Sequence, residues 1–529
     1  MTSLVGTGAL VRLVVRRDRV RLLAWVAAIV ALVAVTAAST KGLYPTQRDL
    51  DLAAAAVRDN PAALAFNGPD QALDTIGGQI AYQVGAFGLV VVGLMSLLLV
   101  GRLTRTEEDS GRLELVRSMP VGRDAPLAAA LVVVGGAQLL TAAGASASLV
   151  ALDQEVHGSV VFGLGFLGVG WVWMGLTALT AQVAENPRVA TGVAGGALGV
   201  AYVVRAAGDM SGGGLSWLSP IGWAQKARPF AGETWWPLVL LLAVAAALVA
   251  AAVVVAERRD FGAGLVPPRP GPARAAPGLR SPLALAVRLH RTAIAWWALA
   301  TALLGLVYGS LAESIEDFIG DNEAIADILA SLEGVSLVDS YLSTSLLITA
   351  LLAVGPALQV AGRMRAEEAD LRVEPLLATQ LSRPRWMGAH VALALGGAAL
   401  ALALGGLGLG VGHAAVGGGT GQVAELTVGA LVYLPAVLLL AGLPVLLFGV
   451  APRWTVGGWL GLAVAFVIAM FGELLELPQL VMDVSPMQHV PPVPASVVRV
   501  PPLAVLAALA ATTIAAGFVA FRRRDLRPG

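Results

Sequence analysis

Long apolar stretches alternate with short charged segments along most of this chain. About 20 apolar residues cross the hydrocarbon core of a bilayer as a helix. Residues 75–101, for example, form a run of 27 residues without a charge. The pattern predicts an all-α integral membrane protein with about twelve transmembrane helices, at residues 22–40, 79–100, 126–150, 158–183, 189–204, 236–256, 292–312, 343–361, 387–411, 427–449, 454–472 and 501–521.

One charged segment occurs twice. RLTRTEEDSGRLELVRSMP (102–120) follows the second stretch, and RMRAEEADLRVEPLLATQLSR (363–383) follows the eighth. A shift of 260 positions superimposes the charged residues of the first copy, Arg105, Glu107, Glu108, Arg112 and Glu114, on those of the second, Arg365, Glu367, Glu368, Arg372 and Glu374. Self-similarity over such a distance indicates a duplicated unit. We predict a first six-helix unit at 1–262, a cytoplasmic Pro/Arg linker at 263–285 and a second six-helix unit at 286–529.

Composition excludes several classes of function. The chain is 57% hydrophobic and 13% charged, against about 25% charged residues in an ordinary soluble domain. Its net charge is zero, which gives no support to a nucleic-acid partner. There is no cysteine, and the five histidines show no metal-binding spacing. We expect no metal site.

The arginines predict the orientation. Segments on the N-terminal side of the predicted membrane hold 28 of the 35 lysine and arginine residues, and the opposite segments hold seven. Acidic residues show the opposite bias, since the outer loop at 313–339 alone carries eight. Cytoplasmic loops carry the excess of lysine and arginine. Both termini, the linker and both charged segments are therefore predicted to be cytoplasmic.

The basic N-terminus followed by an apolar stretch is also typical of a cleaved signal peptide. The same pattern recurs in the middle of the chain, where Arg288 and Arg291 precede the stretch 292–312. A signal peptide cannot lie there. We therefore predict a retained first helix.

Each repeated charged segment is expected to form a short helix on the membrane surface. The pairs Glu108–Arg112 and Glu368–Arg372 have the favoured i,i+4 spacing, and we expect these side chains to project into water. The simplest alternative is a loop whose charges only set the topology. Paired glutamates oppose the positive-inside bias, so a contact with a protein partner accounts for them better.

An apolar span followed by R-x-E-E and a later R-x-E, inside a six-helix unit, resembles the permeases of ABC transporters of the second exporter type. Two fused units resemble the large actinobacterial permeases of polyketide-antibiotic or multidrug exporters, which lie in the bacterial plasma membrane. The resemblance implies that the helix after span two docks into a separate ATPase subunit. It assigns ATPase coupling to Arg105, Glu107, Glu108, Arg112, Glu114, Arg365, Glu367, Glu368, Arg372 and Glu374.

The resemblance also implies two ATPase copies, with ATP and Mg²⁺ bound there and no cofactor in this chain. Pro375 stands where the first unit has Leu115. Proline interrupts helices, so we expect it to end or bend the second surface helix early. The two docking sites would then differ.

Phosphate-binding chemistry is missing from the sequence. The two lysines, Lys41 and Lys226, do not follow a GxxxxG pattern or precede serine or threonine. No loop of the Walker type can therefore be formed. We expect a transporter subunit that is not itself an enzyme.

Spans two and five line the pathway in related permeases. This implies a substrate path formed by Tyr82, Gln83, Phe87, Met95, Tyr202, Thr349, Gln359, Phe466 and Met470. Aromatic and methionine side chains suit an adaptable apolar pocket. For any one of them, ordinary helix packing or contact with lipid is the simpler explanation.

Small residues and prolines predict local features of the spans. Gly192–Gly196 and Gly406–Gly410 have the spacing of close helix contacts. Pro356, Pro435 and Pro444 are expected to kink their spans.

The sequence thus predicts the permease of an ATP-driven exporter that moves amphipathic drug-like, antibiotic-like or lipid-like molecules out of the cell. One alternative is an ion-coupled secondary transporter, for which twelve spans in two halves are also typical. Such carriers place ionisable residues near the middle of the membrane, and these spans contain almost none. A membrane sensor or assembly factor is the other alternative.

Overall fold

The computed structural model describes residues 3–58, 61–260, 262–266, 271, 273–312, 337–472 and 477–525. This part of the chain is helical and has no β-strand; its only β-type pairing is an isolated bridge between Ala184 and Val266. Eleven of the helices in these ranges are long and apolar enough to cross a membrane, and a bent pair adds a twelfth span. The predicted all-α membrane fold is confirmed.

The chain divides into two compact units, residues 1–271 and 272–529. Each has its own apolar core. The boundaries predicted from the sequence, 262 and 286, stay predictions. The acidic stretch 313–336 and residues 267–270 and 272 of the linker lie outside the described residues.

The first unit has eleven α-helices in the described ranges. They are α1 (Thr7–Leu43), α2 (Gln47–Val57), α3 (Pro61–Asn67), α4 (Ile76–Gly101), α5 (Glu107–Asp109), α6 (Arg112–Arg117), α7 (Ala125–Ala151), α8 (Val156–Val183), α9 (Pro187–Met210), α10 (Pro220–Lys226) and α11 (Trp236–Arg258). The six long ones, α1, α4, α7, α8, α9 and α11, correspond to the six predicted spans. α8 lies at the centre, where it packs against α4, α7 and α11.

The second unit repeats this order. Its described helices are α12 (Pro282–Ser310), α13 (Leu337–Leu352), α14 (Gly355–Ala369), α15 (Val373–Leu377), α16 (Arg383–Ala415), α17 (Gly421–Val432), α18 (Leu434–Val450), α19 (Gly457–Phe471), α20 (Gln479–Met482) and α21 (Val500–Arg523). Two of its spans are built from two helices each, α13 with α14 and α17 with α18.

Span two of each unit extends further than its apolar residues predict. In the first unit, a π-helical turn at Arg102–Thr106 and α5 continue the span through Asp109. The helix then breaks at Gly111, whose φ of +73° suits glycine. In the second unit α14 runs to Ala369 and breaks at Leu371, with φ +57°. The paired glutamates therefore lie in the last turn of span two. Within the two charged segments, only α6 and α15 are separate short helices. The prediction that each charged segment forms one surface helix is therefore corrected.

Pro375 does not shorten the second of these helices. α15 ends at Leu377, the position that matches Arg117 at the end of α6. The proline is the third residue of α15. Backbone N–H groups in the first turn have no intrahelical partner, so proline costs little there. The expected early end is wrong.

The local predictions within the spans are confirmed in part. A Cβ at Gly406 would lie 2.4 Å from Ala430, and one at Gly410 would lie 2.7 Å from Val423. These two glycines therefore allow α16 and α17 to approach closely. Gly192 and Gly196 have nothing within 4 Å of an added Cβ, so the same prediction for α9 is wrong.

The prolines differ from one another in their effect. Pro356 and Pro435 are each the second residue of a helix, α14 and α18, directly after a break. The break before α18 bends its span by 41°. Pro444 lies inside α18, which continues through it, so there is no helix break at that position.

Candidate functional site

Glu108 connects the end of span two to the end of span six. Its carboxylate accepts hydrogen bonds from both Nη atoms of Arg259, at 2.9 and 2.8 Å, and from Nη1 of Arg105 at 2.9 Å. The backbone N–H of Gly262 adds a bond of 2.7 Å. Glu108 is only 8% exposed. A bidentate arginine–carboxylate pair with extra donors is a strong and directional contact.

Arg105 is even more deeply buried, at 2% exposure. Besides Glu108, its guanidinium donates to the carbonyl oxygens of Glu185, Gly262 and Ala263, at 2.6, 3.0 and 3.3 Å. It therefore holds the link between α8 and α9, and the segment after α11, against span two. A buried charge of this kind is tolerated because its donors are satisfied.

The second unit has the same connection at matching positions. Glu368 accepts two hydrogen bonds of 2.6 Å from Arg524, which follows α21 directly. Arg524 also lies 5.2 Å and 5.1 Å from the ring centroids of Phe448 and Phe521. We call each of these contacts a carboxylate latch: Glu108 with Arg105 and Arg259 in the first unit, and Glu368 with Arg524 in the second.

A further arginine closes each latch from the start of span three. Arg123 donates to the carbonyl oxygen of Arg259 at 2.8 Å, and Arg383 donates to that of Arg524 at 2.7 Å. The ends of spans two and six and the start of span three are thus joined within each unit. The sequence repeats Arg258-Arg259-Asp260 as Arg523-Arg524-Asp525 but does not indicate that these arginines contact the glutamates. The contact partners of the glutamates are 151 and 156 residues away in the chain, which no local pattern reveals.

The other glutamate of each pair makes a different contact. Glu107 lies 3.1 Å from Arg17 of α1. The neighbouring Asp18 is buried and pairs with Arg17, Arg21 and Arg102. In the second unit Glu367 pairs with Arg363 at 2.9 Å and with Arg372 at 3.2 Å. Span two is therefore also tied to span one in the first unit.

Two expectations about these glutamates are wrong. The i,i+4 pairs Glu108–Arg112 and Glu368–Arg372 are not formed, because the chain breaks between the partners. Arg112 lies 3.8 Å from Glu107 instead, and Arg372 contacts Glu367 and Asp370. Nor do the glutamates project into water: Glu108, Glu367 and Glu368 are at most 8% exposed.

Each unit exposes a short helix directly after span two, α6 in the first unit and α15 in the second. Glu114 and Glu374 are exposed on these two helices, and so is Arg112, the first residue of α6. Leu115 is 74% exposed and Met119 is 62% exposed. Both apolar side chains thus lie on the surface among charged ones. Since Pro375 replaces Leu115, the two surfaces differ in apolar character.

The residues predicted to line a substrate path differ in their burial within each unit. Tyr82, Met95 and Thr349 are buried inside their units. Gln83, Phe87, Gln359 and Phe466 are exposed on the surface of their units, and Tyr202 and Met470 are half-buried. Three of them have partners distant in the chain. Gln83 accepts a hydrogen bond from Thr40 at 3.3 Å, Gln359 accepts one from Trp297 at 2.7 Å, and Tyr202 donates to the carbonyl of Phe66 at 2.8 Å. Their role in transport stays a prediction.

Substitutions at Phe87 and Met95 of α4 distinguish a role in packing from a role in transport. Phe87 is 57% exposed and Met95 is fully buried. We expect Met95→Ala to lower stability by about 2–5 kcal/mol, the range for truncating a buried methionine. Phe87→Ala should leave the thermal midpoint of the purified protein nearly unchanged and alter drug resistance. If Phe87→Ala instead lowers folded protein and resistance equally, Phe87 serves packing only.

A polar network near the end of α9 in the first unit was not predicted from the sequence. Arg205 of α9 has no exposed surface, and its guanidinium donates to the carbonyls of Leu64 and Phe66 at 3.3 and 3.2 Å. Asp209 lies 3.5 Å from it. Gln225 holds the carbonyl of Asn67 at 3.0 Å. Together these side chains fasten α3 over spans two and five. The four-residue spacing of Arg205 and Asp209 was the available signal.

Comparison with known proteins agrees with this architecture. The family model for the C-terminal domain of the multidrug efflux system permease Rv1217c matches residues 9–255 and residues 279–522, one stretch in each half. The chain is 39% identical to the multidrug efflux system permease protein Rv1217c of Mycobacterium tuberculosis over 530 residues, which cover 99% of this chain and 96% of that protein.

Proposed function

This chain belongs to the family of the multidrug efflux system permease Rv1217c, and on that premise we propose that it is the membrane subunit of an ATP-driven ABC exporter. A separate ATPase would supply the energy. In this proposal α6 and α15 are the two helices that the ATPase contacts, and one ATPase copy binds each.

The observation that carries the proposal is the carboxylate latch, which recurs in both units at matching positions. A short helix can relay motion only if it is firmly joined to the membrane helices. Glu108 joins span two to span six, and Arg123 joins span three to the same point. A force on α6 would therefore move the inner ends of three spans together. Chains of buried ion pairs and rigid helices are suitable carriers of such coupling.

The surroundings of the two lysines support a separate ATPase as the energy source. Lys41 lies 2.7 Å from Asp153, and Lys226 lies 4.9 Å from the ring centroid of Trp217. Neither belongs to a phosphate-binding loop. ATP and Mg²⁺ would therefore bind to the partner ATPase, and this chain would act without a cofactor of its own.

The substrate class we propose is an amphipathic drug-like, antibiotic-like or lipid-like molecule. The relative's name describes multidrug efflux. Exposed aromatic side chains such as Phe87 and Phe466 on the spans fit a large, partly apolar substrate.

Purification from the native membrane tests the proposal. The tagged chain should retain an ATPase subunit, and ATP should drive drug uptake into inside-out vesicles. Uptake driven by a proton or sodium gradient without ATP would instead support an ion-coupled carrier. Retention of a protein partner without any transport would support a sensor or assembly factor.

Orientation gives a separate prediction. With both termini and the linker in the cytoplasm, Asp51 and Val497 would lie outside the cell, and both are exposed. Cysteines introduced there should therefore react with a membrane-impermeant maleimide in intact cells. A cysteine at Ala275 should react only after permeabilisation. The native chain lacks cysteine, so it is the background control. Labelling of Ala275 in intact cells would contradict the topology.

A further inference from the structure

The second unit has an open cleft at the end of its spans that carries the carboxylate latch. The cleft has a volume of about 630 Å³. Its lining includes Arg365 from α14, Arg453 from the link after α18, and Arg523 and Arg524 at the end of α21. We call it the arginine cleft. Such a concentration of positive charge is costly unless anions neutralise it.

The charges in the arginine cleft are incompletely balanced by the protein. Two acids also line it, Glu368 and Asp525. Glu368 is already taken by Arg524 in the latch. Arg365, Arg453 and Arg523 are exposed. Within the described ranges, none of these three side chains has a hydrogen bond or ion pair. Three guanidinium groups therefore line one cleft, and their N–H donors have no hydrogen-bond partner among the described residues.

The first unit fills the matching position with its own backbone. Arg105, which matches Arg365, donates to the carbonyls of Gly262 and Ala263. The segment continues to Val266, whose N–H bonds to the carbonyl of Val183 at 3.1 Å. The residues at the matching positions of the second unit, 526–529, lie outside the described part of the chain.

The rim of the cleft is apolar on the membrane side. Val450 is 62% exposed and lines the cleft, and Trp454, next to Arg453, is 59% exposed. Tryptophan is enriched at the boundary between headgroups and hydrocarbon. Free guanidinium groups beside exposed apolar side chains match a molecule with an anionic head and apolar chains. Arginine binds phosphate through two parallel hydrogen bonds.

We propose that the arginine cleft binds the phosphate headgroup of an anionic phospholipid, with the acyl chains along Val450 and Trp454. Basic pockets between transmembrane helices on the cytoplasmic side are suited to such headgroups. The site goes beyond the proposed export function. Lipid binding here requires neither an ATPase nor a transported substrate, so either proposal can fail without the other.

Thermal unfolding of the purified full-length chain in neutral detergent tests the site. Phosphatidylglycerol should raise the midpoint saturably, and phosphatidylcholine should not. The variant Arg365→Gln/Arg453→Gln/Arg523→Gln should need about tenfold more phosphatidylglycerol for half of the shift, because each arginine near an anionic headgroup adds to binding. Its midpoint without lipid should equal that of the native chain, since these side chains have no described protein partner.

Two controls distinguish a phospholipid from a soluble anion and this cleft from the rest of the basic surface. Arg188→Gln/Arg258→Gln changes two exposed arginines at the matching positions of the first unit and should leave the lipid response unchanged. Inorganic phosphate should not reproduce the shift at matched concentration; if it does, the ligand is a soluble anion and the lipid proposal is wrong. An unchanged phosphatidylglycerol response in the triple variant would also overturn it. If that variant does not fold, Arg453→Gln alone, with bound lipid counted by native mass spectrometry, decides the question.

Discussion

Glu108→Ala is expected to destabilise the first unit by about 3–5 kcal/mol, the range for removing one partner of a buried ion pair. The reason is the state of the arginines left behind. Arg105 is 2% exposed, and the Arg259 side chain is 11% exposed. Without the carboxylate, two positive charges remain in a poorly hydrated site. Arg105 would keep its backbone acceptors, which do not neutralise its charge.

The measurement is the thermal midpoint of the purified chain in detergent, with Asp109→Ala as the matched control. Asp109 is the next residue, and it is exposed. Its truncation should shift the midpoint by less than about one degree, since surface changes are usually within 0.5 kcal/mol. Equal midpoints for Glu108→Ala and Asp109→Ala would show that the latch does not stabilise the unit.

The corresponding change in the second unit should cost less. Glu368 has one arginine partner, Arg524, which would keep its contacts with the faces of Phe448 and Phe521. Arg365, the counterpart of Arg105, is exposed, so its charge would not be buried after Glu368 is truncated. Glu368→Ala should therefore lower the midpoint in the same direction but less than Glu108→Ala. A larger effect from Glu368→Ala would contradict this order.

The length of the apolar stretches was sufficient to predict the spans. A membrane helix must satisfy its own backbone and present apolar side chains over about 20 residues, so composition alone locates it. The helix ends were less accurate. α1 begins at Thr7, ahead of the predicted start at residue 22, because its arginine-rich first turns continue the helix beyond the apolar core. Charged residues at a span's end are compatible with helix and are not a stop signal.

The repeated charged segment was found from sequence, and its burial was not. The spacing of Glu108 and Arg112 suggested a solvent-exposed helix, since i,i+4 pairs are a local feature. The actual partner, Arg259, is separated from Glu108 by 151 positions. Whether a charge is buried depends on the tertiary partner that neutralises it. A single sequence gives the residue types but not the pairing.

The Arg205 network illustrates the same limit at the other end of the first unit. In the sequence, only the four-residue spacing of Arg205 and Asp209 indicates this network. The fully buried guanidinium of Arg205 binds backbone carbonyls of α3, and backbone acceptors leave no trace in the side-chain pattern. Tyr202, predicted to line a substrate path, joins the same network through Phe66. Its position one turn before Arg205 therefore reflects packing of α3 as well as any part in transport.

Burial of the paired glutamates changes how the docking hypothesis must be tested. Reversing the charge of Glu107 and Glu108, or of Glu367 and Glu368, would place lysines beside the arginines of the latches. The fold would then be disturbed along with any ATPase contact, and a loss of export could not be assigned. Only the exposed members of the predicted coupling set are free of this difficulty. Glu114 on α6 and Glu374 on α15 are exposed and have no described ion-pair partner.

Glu114→Lys with Glu374→Lys is expected to abolish co-purification of the ATPase, or to reduce it at least about tenfold, because like charges brought together at an interface cost several kcal/mol. The thermal midpoint of the chain alone should be unchanged, since both side chains lie in water. Glu257→Lys is the matched control: it reverses an exposed glutamate of the same unit that belongs to α11 and not to the predicted docking helix. Of the single changes, Glu114→Lys should have the greater effect, because Leu115 and Met119 are exposed beside Glu114 and Pro375 replaces the leucine in the second unit. If the double variant retains the ATPase and exports drug at the native rate, α6 and α15 are not the docking helices, and their charges serve only to orient the chain in the membrane.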